Sequence, residues 1–352
     1  AKAIAGTGLV LHVDTTEWRQ LWDIIEYRAV EILDVSQPSE YALLAWAMVE
    51  ANHPASEYLR LAALHLCRAL KPEANTRPWR AALPGRRSGL PSVVPIRDLA
   101  LFADAFTRGG SPSKDNDGVL VSIANAATRR VAETKPPHLV RLLRCYSPIE
   151  AGCHVCPGER TLARAARELR LARDALLLSV AHDLGQRPHT LKPQELAETI
   201  FLYAEATAKV SETCQMTTGD DKKCNRGTFS GTGPVGGETS ASSSRDAPTS
   251  CKGQRCATSF VHGAGPSISA LAYHAIPQLG RYKAYNLSRL ANAASRYPSG
   301  GWRSPLLQAV EREFRDREGE FSVESREAVL RALALGAADC GNGRLFLHET
   351  QS

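Results

Sequence analysis

One amphipathic segment, LKPQELAETIFLYAEATAKV at residues 191–210, is the feature that most constrains how this chain folds. Pro193 suits the first turn of a helix, where its missing N–H would be unpaired anyway. At about 100° per residue, the apolar side chains fall on one arc and the charged side chains fall opposite. The apolar arc comprises Leu196, Ala197, Ile200, Phe201, Tyr203, Ala204 and Ala208. Because the small alanine side chains on this arc allow another helix to approach closely, the segment predicts a helix packed against other helices.

Related segments recur along the chain, each built around one apolar anchor residue. The anchors are Tyr41, Leu99, Leu139, Leu196, Leu287 and Val329. The two shortest intervals, from Leu99 to Leu139 and from Leu287 to Val329, are about forty residues, a period typical of stacked helical pairs. We therefore predict an all-α fold, an α-solenoid of about five to six helix-hairpin repeats.

The predicted organisation has three parts. Residues 1–35 form an N-terminal segment with one helix, residues 36–338 form the helical-repeat domain, and residues 339–352 form a polar tail. Two stretches interrupt the repeats. A basic loop covers residues 71–95, and an insertion rich in Gly, Ser and Thr covers residues 217–258. We predict that the insertion is disordered, because it cannot bury enough apolar surface, and that the next helix resumes near Pro266.

Net charge, apolar content and cysteine count exclude few classes of protein. Formal net charge is +6, with 43 Lys plus Arg against 37 Asp plus Glu, which is compatible with a polyanionic partner. The longest apolar run, residues 41–49, is far shorter than a membrane span, so no membrane span is expected. The chain opens without a secretory pattern. Nine cysteines, an odd number, argue against full intramolecular pairing and favour a reducing compartment.

A CxxC pair at Cys153 and Cys156 raises the question of a metal. Two thiolates at this spacing fit one tetrahedral ion, but zinc needs four ligands and no second CxxC follows at a usual distance. We interpret the pair as part of a plain loop and predict no metal and no cofactor. A structural metal and a redox role stay open as alternatives.

Two groups of arginines are the candidate RNA-binding residues. The first lies in the basic loop, where guanidinium forks could pair with phosphate oxygens. The second lies on one arc of the helix that starts after Pro157, opposite the apolar arc. The candidates are Arg77, Arg80, Arg86, Arg87, Arg160, Arg164 and Arg167. A solvated loop and a solvated helix face are the alternative interpretations.

Signatures of catalysis are missing from the sequence. It contains no Walker loop, no HExxH, no GxSxG and no recognisable pair of catalytic carboxylates. The GTGPVG stretch matches GxGxxG, but no strand precedes it and no helix follows at once. We therefore expect a protein that is not an enzyme and has no small-molecule substrate.

The form P-x-E-L-A-x-x-x-x-x-Y-A at Pro193 to Ala204 resembles the helical repeats of organellar RNA-binding proteins, namely the octotricopeptide and heptatricopeptide families and the helical region of FAST-kinase-like proteins. PSEYALLAWA at Pro38 to Ala47 resembles the same repeat. The resemblance implies a mitochondrial matrix protein that contacts rRNA and neighbouring protein subunits as a structural component of a mitochondrial ribosome. A scaffold subunit of another mitochondrial complex and an RNA-processing or stability factor are the alternatives.

Overall fold

The computed structural model describes residues 15–70, 94–109, 114–149, 160–224, 252–297 and 300–339. Every regular element in these ranges is helical, which confirms the all-α prediction. The α-helices are α1 Thr15–Ile32, α2 Pro38–Glu50, α3 Ser56–Leu70, α4 Ile96–Gly109, α5 Lys114–Thr128, α6 Pro136–Tyr146, α7 Arg160–Gln186, α8 Pro193–Cys224, α9 Lys252–Ala275, α10 Ala284–Arg296, α11 Arg303–Asp316 and α12 Val323–Asp339. Short 3-10 turns occupy Val131–Glu133, Pro188–Thr190, Ile276–Arg281 and Glu318–Glu320.

These helices pack in two rows that follow alternate positions in the chain. The even row contains α2, α4, α6, α8, α10 and α12, and each of its helices contacts the next even helix. In the odd row, α1, α3, α5, α7 and α9 do the same, and α11 joins them through the turn Ile276–Arg281. Consecutive helices also contact each other across the rows, as α8 and α9 do. One hydrophobic cluster therefore runs between the rows.

The anchor residues of the recurring segment lie in this core, as the periodicity predicts. All six are at most 4% exposed. Two even helices also form the same hydrogen bond to the preceding odd helix. The Tyr146 hydroxyl donates to the carbonyl of Leu120 at 2.6 Å, and the Tyr203 hydroxyl donates to the carbonyl of Leu177 at 2.7 Å. The two rows are thus joined by polar as well as apolar contacts.

A repeated junction leads from the odd row to the even row. After each 3-10 turn the chain passes through one extended residue, with φ between −95° and −85° and ψ between 131° and 142°. An even helix begins two residues later. The extended residues are Thr134, Leu191, Tyr282 and Phe321. Because the geometry recurs, successive even helices start along one edge of the row.

Three arginines that stand directly before a 3-10 turn donate to the chain ahead of the preceding even helix. For Arg187 and Arg317 the acceptor belongs to the preceding junction, and for Arg130 it is Val94, two residues before α4. The bonds run from Arg130 to Val94 at 2.7 Å, from Arg187 to Thr134 at 2.8 Å and from Arg317 to Gly280 at 3.3 Å. Since a charged donor strengthens a hydrogen bond, these contacts hold neighbouring helix pairs in register.

The structure corrects the bounds predicted for the insertion 217–258. Helix α8 continues to Cys224 and α9 already begins at Lys252, so both ends of that stretch are helical. Extending an existing helix adds one hydrogen bond for each residue ordered, so the unfavourable composition did not stop it at residue 217. Residues 225–251, like most of the basic loop and the tail beyond Asp339, lie outside the described residues.

The predicted start of α9 near Pro266 is also wrong. Pro266 lies inside the helix, well after Lys252. Proline in a helix removes one backbone hydrogen bond, but its fixed φ is compatible with helical geometry. Once the preceding residues are helical, Pro266 does not have to mark a start.

Candidate nucleic-acid interface

The structure describes only part of the predicted RNA-binding set. The arginines of the basic loop lie outside the described residues, namely Arg77, Arg80, Arg86 and Arg87. For Arg160 only the helical backbone is described. Arg164 has a side chain that is 83% exposed and contacts the Glu168 carboxylate at 3.0 Å. Arg167 is exposed on the same helix, α7. This helix therefore presents positive charge, part of which its own glutamate balances.

A different basic group surrounds His138 in the first turn of α6. Burial lowers the pKa of His138 below its usual 6.5, and the nearby cations Arg141, Arg97 and Lys135 lower it further. Only Asp98 opposes this effect, and the Arg97 guanidinium contacts that buried carboxylate at 3.0 Å. The imidazole is therefore neutral at pH 7, and the surface where α4 meets α6 is positively charged.

An ion-paired bridge continues this surface from α6 to α10. The Arg144 guanidinium of α6 contacts the Glu198 carboxylate of α8 at 2.7 Å. Arg289 of α10 lies 3.9 Å from the same carboxylate oxygen. The Glu198 side chain is only 9% exposed. Its charge is enclosed by the two guanidinium groups, which remain more accessible to a partner than the carboxylate does.

Arg289 also organises two aromatic rings. Its guanidinium carbon lies 4.5 Å from the ring centroid of Tyr285 and 5.4 Å from that of Phe201. Tyr285 is 57% exposed, so the ring remains accessible although Arg289 stacks on it. Cation–π contacts and the ion pair with Glu198 together restrict how the guanidinium can move.

These contacts define one surface, which we call the basic strip. It crosses the even row from α4 to α10. Its members are Arg97, Lys135, Arg141, Arg144 and Arg289, and Tyr285 lies at its C-terminal end. A strip of this kind offers cations for phosphate oxygens and an aromatic face for a base.

Sequence reasoning missed every member of the strip, although one signal was present. Arg141, Glu198 and Arg289 each lie two residues after a buried anchor, namely Leu139, Leu196 and Leu287. Equal offsets from equivalent anchors place side chains at equivalent positions of stacked helices. A register comparison of the charged positions would have brought these three residues together.

The cysteines supply little chemistry in the part of the chain that is described. Burial raises the pKa of the Cys145 thiol to about 12, with Asp104 contributing, so this cysteine behaves as a small apolar side chain. Cys67 is half-buried and unpaired. Cys153 and Cys156 lie outside the described residues.

No family model, no curated protein and no solved structure matches the chain. Among the described helices, none combines the length and apolar character that crossing a bilayer requires.

Proposed function

We propose that this chain is an α-solenoid that binds RNA without catalysing a reaction. In this proposal it is a structural component of a mitochondrial ribosome in the matrix and contacts rRNA and neighbouring protein subunits. The two rows of alternating helices support the solenoid, and the resemblance of Pro193 to Ala204 to organellar RNA-binding repeats supports the location. The basic strip is the observation that carries RNA binding.

The charge balance of the strip favours a polyanionic partner. Its five cations face two carboxylates, those of Asp98 and Glu198, and both carboxylates are buried. The surplus positive charge is spread over neighbouring helices whose axes lie about 8–10 Å apart. An RNA backbone carries regularly spaced phosphates and can meet several such cations at once, releasing counterions as it binds. Tyr285 adds a surface on which an unpaired base can stack.

Salt-dependent binding tests the proposal. We expect the full chain to bind an RNA of about 25 nucleotides with a single-stranded loop, and the logarithm of affinity to fall linearly with the logarithm of salt concentration. Replacing exposed Lys135 and half-buried Arg141 by Gln removes two cations that make no ion pair with any described residue. The magnitude of the slope should drop by about 0.7 for each lost phosphate contact.

The matched control replaces Arg19 and Arg312 by Gln, because both are exposed arginines of the odd row, on α1 and α11. This pair should leave the slope unchanged. Charge reversal of Arg160, Arg164 and Arg167 tests α7 in the same assay. Absence of RNA binding, or equal losses in the strip variant and the control, contradicts the proposal. Co-sedimentation with mitochondrial ribosomal subunits tests the ribosomal role.

A second function, a protein–protein scaffold, is favoured by the first helix. Helix α1 packs on α3, yet Leu21, Ile24 and Ile32 are 46%, 62% and 53% exposed. They recur at helical spacing and form an apolar stripe suited to another helix. Under this alternative, Ile24→Glu abolishes co-purification of protein partners, whereas Lys135→Gln with Arg141→Gln leaves it intact. The opposite pattern favours RNA.

A further inference from the structure

An open cleft lies where the basic strip ends, between the two junctions that lead into α10 and α12. Its volume is about 480 Å³, which is in the range of small-ligand sites. Its lining includes Arg281, Lys283, Tyr285, Arg317, Glu320 and Ser322. The cleft combines cations, a hydroxyl and an exposed aromatic ring within reach of one small ligand.

The charges at the cleft leave a positive surplus. Arg317 pairs with Glu320 at 2.5 Å and lies 3.8 Å from Glu313, so two carboxylates face this guanidinium, and together with Arg281 and Lys283 the five groups carry one net positive charge. Arg281 and Lys283 are exposed and make no ion pair with any described residue. The cleft therefore selects for an anion, and a phosphate group is the anion that two neighbouring basic side chains bind well.

The aromatic wall of the cleft adds a requirement for a planar group. Tyr285 lines the cleft, and the Arg289 guanidinium stacks on its ring at 4.5 Å. Arg289 is itself held by Glu198 and Phe201, so the ring is supported before any ligand arrives. A supported ring loses little conformational freedom when a ligand stacks on it.

From this arrangement we propose that the cleft binds one nucleotide of single-stranded RNA. Its base stacks on Tyr285, and its phosphate contacts Arg281 and Lys283. Single-stranded RNA fits because bases in a duplex are stacked on each other and cannot reach an aromatic side chain. The inference rests on the proposed RNA-binding function and identifies the part of the RNA that meets α10.

A short probe separates the cleft from the rest of the strip. A labelled single strand of about five nucleotides is short enough to occupy one site of this kind. Fluorescence anisotropy with the full chain should show binding, and Tyr285→Leu should weaken it about tenfold or more. Arg281→Gln with Lys283→Gln should weaken it by a similar factor, whereas Tyr285→Phe keeps the ring and should retain binding.

Two matched controls are available in the chain. Tyr273 on α9 is 52% exposed, nearly as much as Tyr285, so Tyr273→Leu reports the effect of losing any surface tyrosine. Lys192 stands directly before α8 as Lys283 does before α10, so Lys192→Gln reports the loss of any lysine at that position. Both controls should bind the short probe as the unaltered chain does, and circular dichroism checks that all variants fold.

Failure of the unaltered chain to bind the short probe overturns the inference. Equal weakening by Tyr285→Leu and Tyr273→Leu overturns it as well, as does equal competition by a duplex of the same sequence. If the long RNA still binds and depends on Lys135 and Arg141, the proposed function survives that result. If the short probe binds at Tyr285 but the long RNA shows no dependence on the strip, the cleft stands and the wider interface does not.

Discussion

Hydrogen bonding by buried tyrosines gives the sharpest test of how the two rows are held together. Tyr203→Phe removes a hydroxyl that donates to the carbonyl of Leu177 at 2.7 Å, in a side chain that is buried. Tyr146→Phe does the same at the preceding helix pair. Tyr282→Phe serves as the control, because its hydroxyl is buried and has no hydrogen-bond partner among the described residues.

The expected magnitudes follow from these environments. A neutral hydrogen bond contributes about 1 kcal/mol net, so Tyr203→Phe and Tyr146→Phe should each lower the free energy of unfolding by about that amount. The loss should not be larger, because the Leu177 carbonyl lies inside a helix and keeps its backbone partner. Removing the unpaired hydroxyl of Tyr282 relieves a desolvation penalty, so Tyr282→Phe should be neutral or stabilising by about 1 kcal/mol.

Urea unfolding followed by circular dichroism measures all three variants. Helical-repeat chains often unfold in more than one step, so hydrogen exchange of the α7 and α8 amides should accompany it. The reasoning is refuted if Tyr282→Phe destabilises the chain as much as Tyr203→Phe does. It is also refuted if Tyr203→Phe leaves exchange in α7 and α8 unchanged.

Three further perturbations have expected outcomes. Arg187→Met breaks the hydrogen bond to Thr134 and should lower the free energy of unfolding in urea by about 1–2 kcal/mol, a moderate loss because the side chain is partly exposed. The control Arg167→Met should change it by less than about 0.5 kcal/mol. A Cβ at Gly185 would lie 2.8 Å from the Cβ of Ser267 on α9, so Gly185→Ala should lower the free energy of unfolding by about 1–3 kcal/mol. A Cβ at Gly118 meets open space, so Gly118→Ala should raise the free energy of unfolding by about 0.5–1 kcal/mol. Burial raises the pKa of Tyr41 and Tyr297 from 10.0 to about 12. The unfolded state therefore loses these protons first, and stability should be intact below pH 10 and decline from there to pH 12, as seen in the urea midpoint and tyrosinate absorbance.

Sequence periodicity predicted the helices and their buried faces well. The segments anchored on Tyr41 and Leu196 form helices where expected, and both anchors are buried. Periodicity is a local property, because side chains three or four residues apart share a face whatever lies beyond. Predictions from composition were less accurate. Pro266 and the polar residues after Thr217 suggested breaks, yet both positions are helical.

The candidate site could not be predicted from helical periodicity in the same way. Arg164 was predicted as an RNA contact from its own helix, but only the structure reveals that Glu168 pairs with it. A buried arginine on the apolar arc of α7 was not anticipated at all: Arg173 is 1% exposed, and within the described part of the chain none of its guanidinium nitrogens has a hydrogen-bond partner. Burial of that residue depends on neighbouring helices, which a single helical arc does not describe.

By itself, the sequence determined that this chain is helical, where most helices lie and which side chains face inward. Only the tertiary structure decided that Arg144, Glu198 and Arg289, on three separate helices, form one continuous surface. The reason is physical. Helix formation depends on hydrogen bonds and side chains within a few residues, whereas the basic strip depends on how even helices stack, a property shared by residues far apart in the chain.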